Sequence, residues 1–165
     1  MAEENSSDFE RMLLGGALAE THQTDIVLAC NEKTAAYGLS LTMEQAAALV
    51  SVRSDTLRKT GRIEFGGGIL NQLIMAFCDS PYISQENYEA TLYELVDLFY
   101  NLKNETADRV GDNDLIEIMK KEFNGECCGS LELLSGTALP VFVRKLNESL
   151  AVDFFENMEI TDDEP

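Results

Sequence analysis

The chain has 165 residues, 45% of them apolar, with 30 acidic and 12 basic side chains and a formal charge of −18. That length and composition suit one compact domain with a hydrophobic core and argue against wholesale disorder. A basic footprint for nucleic-acid phosphates is missing, and an anionic membrane surface would repel the chain, so neither is an expected partner.

The charge is concentrated at the ends. Residues 1–20 carry a net −4 and residues 147–165 a net −7, which leaves −7 for the 126 residues between them. Two solubilising tails on an ordinary acidic domain explain this better than an acidic mimic of nucleic acid, which needs carboxylates spread over a folded face. The four cysteines, Cys30, Cys78, Cys127 and Cys128, form no CxxC pair, and with a single histidine the chain offers no Cys/His metal site. No metal or other cofactor is expected. The acidic start Met1-Ala2-Glu3-Glu4 is unlike a signal peptide, and the cytoplasm is the expected compartment.

In chain order, residues 1–7 read as a disordered acidic leader, 8–158 as a single helical domain and 159–165 as a disordered acidic tail. Ser7 can cap a short helix carrying Phe9, Met12, Leu13 and Leu14, interrupted at Gly15 and Gly16. Thr24 or Asp25 can cap the next helix, with Ile26, Val27, Cys30, Thr34 and Tyr37 on one side and Gly38 at its end. His22, just ahead of that cap, reads as a surface residue. Leu39-Ser40-Leu41 alternates. Thr42 then caps a long helix with the apolar stripe Met43, Ala46, Ala47, Val50 and Leu57, ended by Gly61. Arg53, Arg58, Lys59 and Arg62 near its C-terminus match the helix dipole and read as surface charge.

Ile63, Glu64 and Phe65 alternate again, so 39–41 and 63–65 could form one minimal two-stranded pairing. Beyond Gly66, Gly67 and Gly68, a helix carries Ile69, Leu70, Leu73, Ile74 and Phe77 until Asp79-Ser80-Pro81 breaks it. Ser84 caps the strongest helix, with Tyr88, Leu92, Leu95, Val96, Phe99 and Leu102 along one face. Asp112 caps the next, with Leu115, Ile116, Met119 and Phe123 inward and Gly125 closing it. After the junction at Cys127 and Cys128, Ser130 to Ser135 makes a short turn ended by Gly136. Thr137 caps a final helix with Pro140 in its first turn. From Ala151 onward, Val152, Phe154, Phe155 and Met158 alternate with carboxylates, a pattern for a docked helix through about Met158 or for a binding tail.

The glycine run is the one stretch that invites chemistry. Gly61 and Gly66 have P-loop spacing, but Gly67 and Gly68 occupy the positions of the required Lys and Ser/Thr, so the motif fails. What survives is a glycine-rich helix start whose N–H groups could face an anion, with Arg62, Glu64, Gly66, Gly67, Gly68, Asp79 and Tyr82 as candidate ligand-binding residues. Close packing of two helices explains the same glycines and is the stronger reading. Phe154, Phe155 and Met158 are candidate partner-binding residues. No catalytic residue is assigned.

The blocks Asn31-Glu32-Lys33-Thr34, Tyr37-Gly38-Leu39, Thr60-Gly61-Arg62-Ile63-Glu64-Phe65-Gly66-Gly67-Gly68, Ala76-Phe77-Cys78-Asp79-Ser80-Pro81-Tyr82-Ile83, Phe99-Tyr100 with Lys103-Asn104-Glu105, and Phe123-Asn124-Gly125-Glu126-Cys127 give a resemblance. Over roughly residues 25 to 146 the chain resembles a bacterial family of unknown function found mainly in spore-forming Gram-positive anaerobes. The resemblance implies a free-standing cytoplasmic protein and supplies no catalytic residues. The expected fold is all-α, a single irregular bundle of six or seven helices. The expected function is non-enzymatic, an interaction or regulatory protein with a protein partner. The alternative is an enzyme or anion-binding domain at the Gly66, Gly67 and Gly68 helix start, and the second alternative is an acidic mimic.

Overall fold

The computed structural model describes residues 16, 18–64 and 68–159, with the backbone alone at Glu159. The chain is all-α. Its elements are α1 (18–29), α2 (Asn31–Thr34), a 3₁₀ turn (Ala35–Tyr37), α3 (Met43–Lys59), α4 (Leu70–Phe77), α5 (Tyr88–Glu105), α6 (Asp112–Asn124), α7 (Leu131–Leu133), a π turn (Leu134–Ala138) and α8 (Leu139–Glu159). The chain divides into two compact units, Met1–Tyr100 and Asn101–Pro165, with the boundary inside α5. The leader at 1–7, the helix predicted from Asp8, Phe65 with Gly66 and Gly67, and the tail at 160–165 lie outside the described residues.

In the first unit, α1 runs through the predicted cap. Thr24 Oγ1 donates to Glu20 O at 2.9 Å, the back-bond of a mid-helix threonine, so the start lies upstream of Thr24. Gly38 ends the following turns with φ +74, the left-handed conformation expected of it. Thr42 caps α3 as predicted, by a reciprocal capping box: Gln45 N–H donates to Thr42 Oγ1 at 3.1 Å and Thr42 N–H to Gln45 Oε1 at 2.9 Å. Gly61 closes α3 at φ +69, with Arg62 N–H reaching back to Leu57 O at 2.8 Å and Gly61 N–H to Arg58 O at 3.3 Å, the Schellman pattern.

The predicted stripe of α3 needs correcting. Met43 is 69% exposed and Ala47 is exposed, whereas Ala46, Leu49, Val50, Arg53, Thr56 and Leu57 are buried. The buried face is rotated and includes a cation. By contrast, Ile69, Leu70, Leu73, Ile74 and Phe77 are buried as predicted, as are Tyr88, Leu92, Leu95, Val96 and Phe99. The last five belong to a helix that begins at Tyr88 rather than beside Ser84. Asn87 holds the preceding turn: its side chain accepts from Ser84 N–H at 2.9 Å and donates to Tyr82 O at 3.1 Å.

The two-stranded pairing does not form; among the described residues there is no strand, and Phe65 is not described. Residues 39–41 are extended and alternate as a strand would, with Leu39 and Leu41 buried and Ser40 exposed. Their backbone groups are met by side-chain amides instead. Asn31 accepts from Leu41 N–H at 2.9 Å and donates to Leu41 O at 2.8 Å. Gln85 does the same for Ser40, at 2.8 and 3.0 Å. Each amide supplies the donor and acceptor that a neighbouring strand would have offered.

In the second unit, Leu115, Ile116, Met119 and Phe123 are buried on α6 as predicted. Gly111, rather than Asp112, takes the N-cap position, and Asp112 and Asp114 lie in the first turn, favourable for the dipole. Ser130 caps α7 by accepting from Leu133 N–H at 3.2 Å. Gly136 and Thr137 do not separate two helices: the π turn carries the chain straight from α7 into α8. Pro140 has no N–H for the Gly136 carbonyl and its ring crowds that carbonyl, and a widened turn relieves the misfit. Thr42→Ala removes half of the capping box and should lower unfolding stability by about 1 kcal/mol with an unchanged urea m-value.

Candidate functional site

The glycine-rich connection is organised by a residue read from the sequence as surface charge. Arg53, on α3, is 2% exposed. Its Nε donates to Tyr100 Oη at 3.1 Å, its Nη1 to Gln23 Oε1 at 3.1 Å and its Nη2 to Glu64 Oε2 at 2.9 Å. Tyr100 Oη in turn donates to Glu64 Oε2 at 2.7 Å. Arginine, tyrosine and glutamate thus close a ring, with each O–H or N–H facing an acceptor, and Gln23 extends it to α1. All four residues belong to the first unit.

Gly68 completes the arrangement. Its φ is +63, and a Cβ there would overlap the Arg53 guanidinium at Cζ, Nε and Nη2. Only glycine can take that backbone conformation and leave room for the planar cation. The helix start therefore has Arg53 packed against its described glycine, in line with the packing reading of the sequence.

The other candidates do not converge there. Glu64 is turned into the ring, its side chain 18% exposed, while the neighbouring Ile63 is 82% exposed. Arg62 is half-buried and closes α3 through its backbone. Asp79 is exposed beyond the end of α4, and Tyr82 is 39% exposed with its N–H donating to Ser80 Oγ at 3.4 Å. Gly66 and Gly67 lie outside the described residues. Sequence reasoning missed Arg53, Tyr100 and Gln23. The available signal was Arg53 itself, a cation at the i+3 and i+7 positions of Val50 and Ala46 on the buried stripe.

Burial, then the hydrogen bond to Glu64, pushes the Tyr100 hydroxyl well above its ordinary value, against the lowering effect of Arg53. Burial lowers the Arg53 pKa, but hydrogen bonding and attraction to Tyr100 and Glu64 outweigh it and the net shift is upward. The ring therefore holds a neutral tyrosine and a charged arginine. At the junction in the second unit, Cys127 is buried and its thiol is pushed up by burial and then by Glu122, while Cys128 is exposed at φ +49. A raised thiol pKa disfavours the thiolate and suits a structural cysteine. Among the described residues no cluster of three metal-ligating side chains occurs, and no helix is long and apolar enough to cross a membrane.

The partner-binding candidates lie at the far end of α8. Phe154 is 62% exposed, Phe155 64% and Met158 52%, and the two rings meet edge-on with centroids 5.9 Å apart. The helix continues to Glu159, so the segment is helical as expected, yet these side chains face solvent rather than a core. Two clefts open beside α8 within the second unit. One, of about 510 Å³, is lined by Glu105, Pro140, Val143, Arg144, Asn147, Glu148 and Ala151. The other, of about 740 Å³, includes Lys121, Cys127, Leu133, Val141, Phe142 and Lys145.

Two outcomes check the ring. Arg53→Ala leaves Glu64 and Tyr100 without their cation and should cost about 3 kcal/mol of unfolding free energy. Gly68→Ala should cost more than ~1 kcal/mol alone, and measurably less in the Arg53→Ala background, where only the backbone strain remains. A double-mutant cycle with equal costs would show that Gly68 and Arg53 are not coupled. The second outcome concerns alkaline pH. A folded tyrosine pKa above the unfolded 10.0 stabilises fully below pH 10 and loses that contribution as pH rises towards the folded value. Tyr88 and Tyr93, each pushed up to about 12, act in the same direction. The urea midpoint should fall above about pH 10, and Tyr100→Phe should make that fall shallower.

No curated protein and no solved structure shows significant similarity to the chain. One family matches, described as a family of unknown function (DUF6323), over residues 26–151. That span covers most of the chain and takes in the Arg53 ring as well as all but the outer turns of α8; the chain belongs to this family of unknown function.

Proposed function

We propose that the protein is a non-enzymatic intracellular interaction or regulatory protein that engages a protein partner through the outer half of α8. The observation that carries this reading is the exposure of Leu150, Phe154, Phe155 and Met158, from 40% to 64%, on one uninterrupted helix. Large apolar side chains scattered singly on a surface need no explanation, but Leu150, Val152, Phe154, Phe155 and Met158 grouped within nine residues of one helix support an interaction site. Fully burying each would stabilise a complex by roughly 1.5–3 kcal/mol before the costs of association.

The anion-site alternative draws less support. At Gly68 the space beside the backbone is taken by the Arg53 guanidinium, and Glu64 is committed to the ring. The reading of an acidic mimic of nucleic acid would need a carboxylate-covered face without large apolar groups, whereas α8 combines both. All four cysteines are free thiols, in keeping with a reducing compartment.

The test is tagged protein purified from its native cell, as wild type and as Phe154→Ser/Phe155→Ser. A stoichiometric partner should be recovered with the wild type and fall by about tenfold or more with the variant, a difference of about 1.4 kcal/mol or more in binding. Far-UV circular dichroism should match between the two. Equal recovery with both forms would overturn the assignment of this face.

A further inference from the structure

The cleft of about 740 Å³ is bounded by the end of α6, the Cys127 junction, the π turn and the first turns of α8. It differs from its neighbour in what its polar groups do. In the smaller cleft they are matched within the protein: Arg144 lies 4.0 Å from Glu148, and Asn147 Oδ1 accepts from Arg109 Nη2 at 2.7 Å. The larger cleft is lined by Lys121, Glu122, Glu126, Thr137 and Lys145. Among the described residues none of these five side chains makes a hydrogen bond or an ion pair.

Apolar surface lies among them. Ala138, Val141, Phe142 and Lys145 follow at steps of three, one and three, so they share one face of the continuous helix, and the Lys145 cation stands in line with the apolar groups. Leu133, 48% exposed, borders the same cleft, and Val141 and Phe142 are half-buried. The negative charge sits by the cysteine: burial, then Glu122, Cys128 and Glu126, push the Cys127 thiol up, which puts both carboxylates at that end of the cleft.

Two unmatched cations, two unmatched carboxylates and a free hydroxyl around an apolar floor complement a ligand that carries both charges on an apolar body. A simple organic acid would meet the lysines but face Glu122 and Glu126, and a simple amine would meet the carboxylates but face Lys121 and Lys145. The volume falls within the range of small-ligand sites, roughly 300–1,000 Å³. We propose that this cleft binds a zwitterion with an apolar body, an apolar amino acid or short peptide with free ends. Its carboxylate lies on Lys121 and Lys145, its amine on Glu122 and Glu126, and its apolar part on Leu133, Val141 and Phe142. The site is separate from the exposed outer turns of α8, so it goes beyond the interaction reading and stands without it.

Isothermal titration calorimetry of the full chain tests this with leucine and the tripeptide Leu-Ala-Leu, each in free, N-acetylated and C-amidated form. At least one free form should bind about tenfold or more tighter than both of its blocked forms, and which one does so distinguishes an amino acid from a peptide. Lys121→Gln/Lys145→Gln should erase the advantage over the amidated form, and Glu122→Gln/Glu126→Gln the advantage over the acetylated form. Lys121, Glu126 and Lys145 are exposed and Glu122 is half-buried, so far-UV circular dichroism should be unchanged. Leu133→Ser should weaken the free form by about fivefold or more. Equal affinity for an acetylated or amidated form would show that only one charge is read and would overturn the proposal. So would the absence of binding by either free form at about 5 mM. Binding that every variant retains unchanged would put the ligand elsewhere and overturn it as well. None of these outcomes bears on the native-cell capture, which tests the outer turns of α8.

Discussion

The buried Arg53 guanidinium is the constraint on which the first unit depends. Removing a guanidinium from water is expensive, and a single ion pair often fails to repay it. Here three different acceptors on three segments share the cation, and Tyr100 relays the same proton chain to Glu64. A satisfied ring of this kind specifies geometry more than it adds stability. Arg53 can meet Gln23, Glu64 and Tyr100 together only if α1, the connection after α3 and the end of the first unit's share of α5 hold one arrangement. Gly68 tightens the requirement, since its missing Cβ is the space the guanidinium occupies.

Side-chain amides do similar work at lower cost on the other side of α3. Asn31 and Gln85 each present a donor and an acceptor to one extended residue, Leu41 and Ser40 respectively. These neutral contacts fix a connection that lacks a strand partner. Together with the ring, they hold the described connections on either side of the long helix. Backbone groups of the first connection are tied to the Asn31 and Gln85 amides, and the second is tied through Arg62 N–H to the end of α3 and through the Glu64 side chain to Arg53 and Tyr100.

Much of this fold was legible from periodicity. The inward faces of α4, α5 and α6 are set by apolar residues three and four apart, and local pattern and tertiary packing agree there. The disagreements have physical causes. On α3, hydropathy placed Met43 inside and Arg53 outside, but a cation with three acceptors is satisfied in the interior, and no local rule anticipates partners 11, 30 and 47 residues away. At Gly136 and Thr137 the breaker and cap chemistry was sound in isolation, yet a π turn lets the helix pass through. Of the candidate site, Phe154, Phe155 and Met158 were visible as bulky residues among carboxylates. Their exposure was not, because composition cannot distinguish a docked helix from a bare one.

The two units differ in how their polar chemistry is spent, and that difference locates the open surface. In the first, the cation is enclosed, its three nitrogens are bonded and its neighbouring glycine is filled. In the second, the turn after α5 is held by inward contacts: buried Thr106 bonds Leu102 O at 2.9 Å, and Lys103 pairs with Asp112 at 2.8 Å. Ala107 and Asp108 occupy positive φ, an unusual pair for non-glycine residues, and Arg109 beyond them reaches Asn147 on α8. The strain of that turn thus accompanies a contact between Arg109 and α8. Outward from Asn147 the helix carries Leu150, Val152, Phe154, Phe155 and Met158, all exposed. The proposed partner face on α8 needs such helical order, because a helix formed before binding carries no ordering cost against affinity.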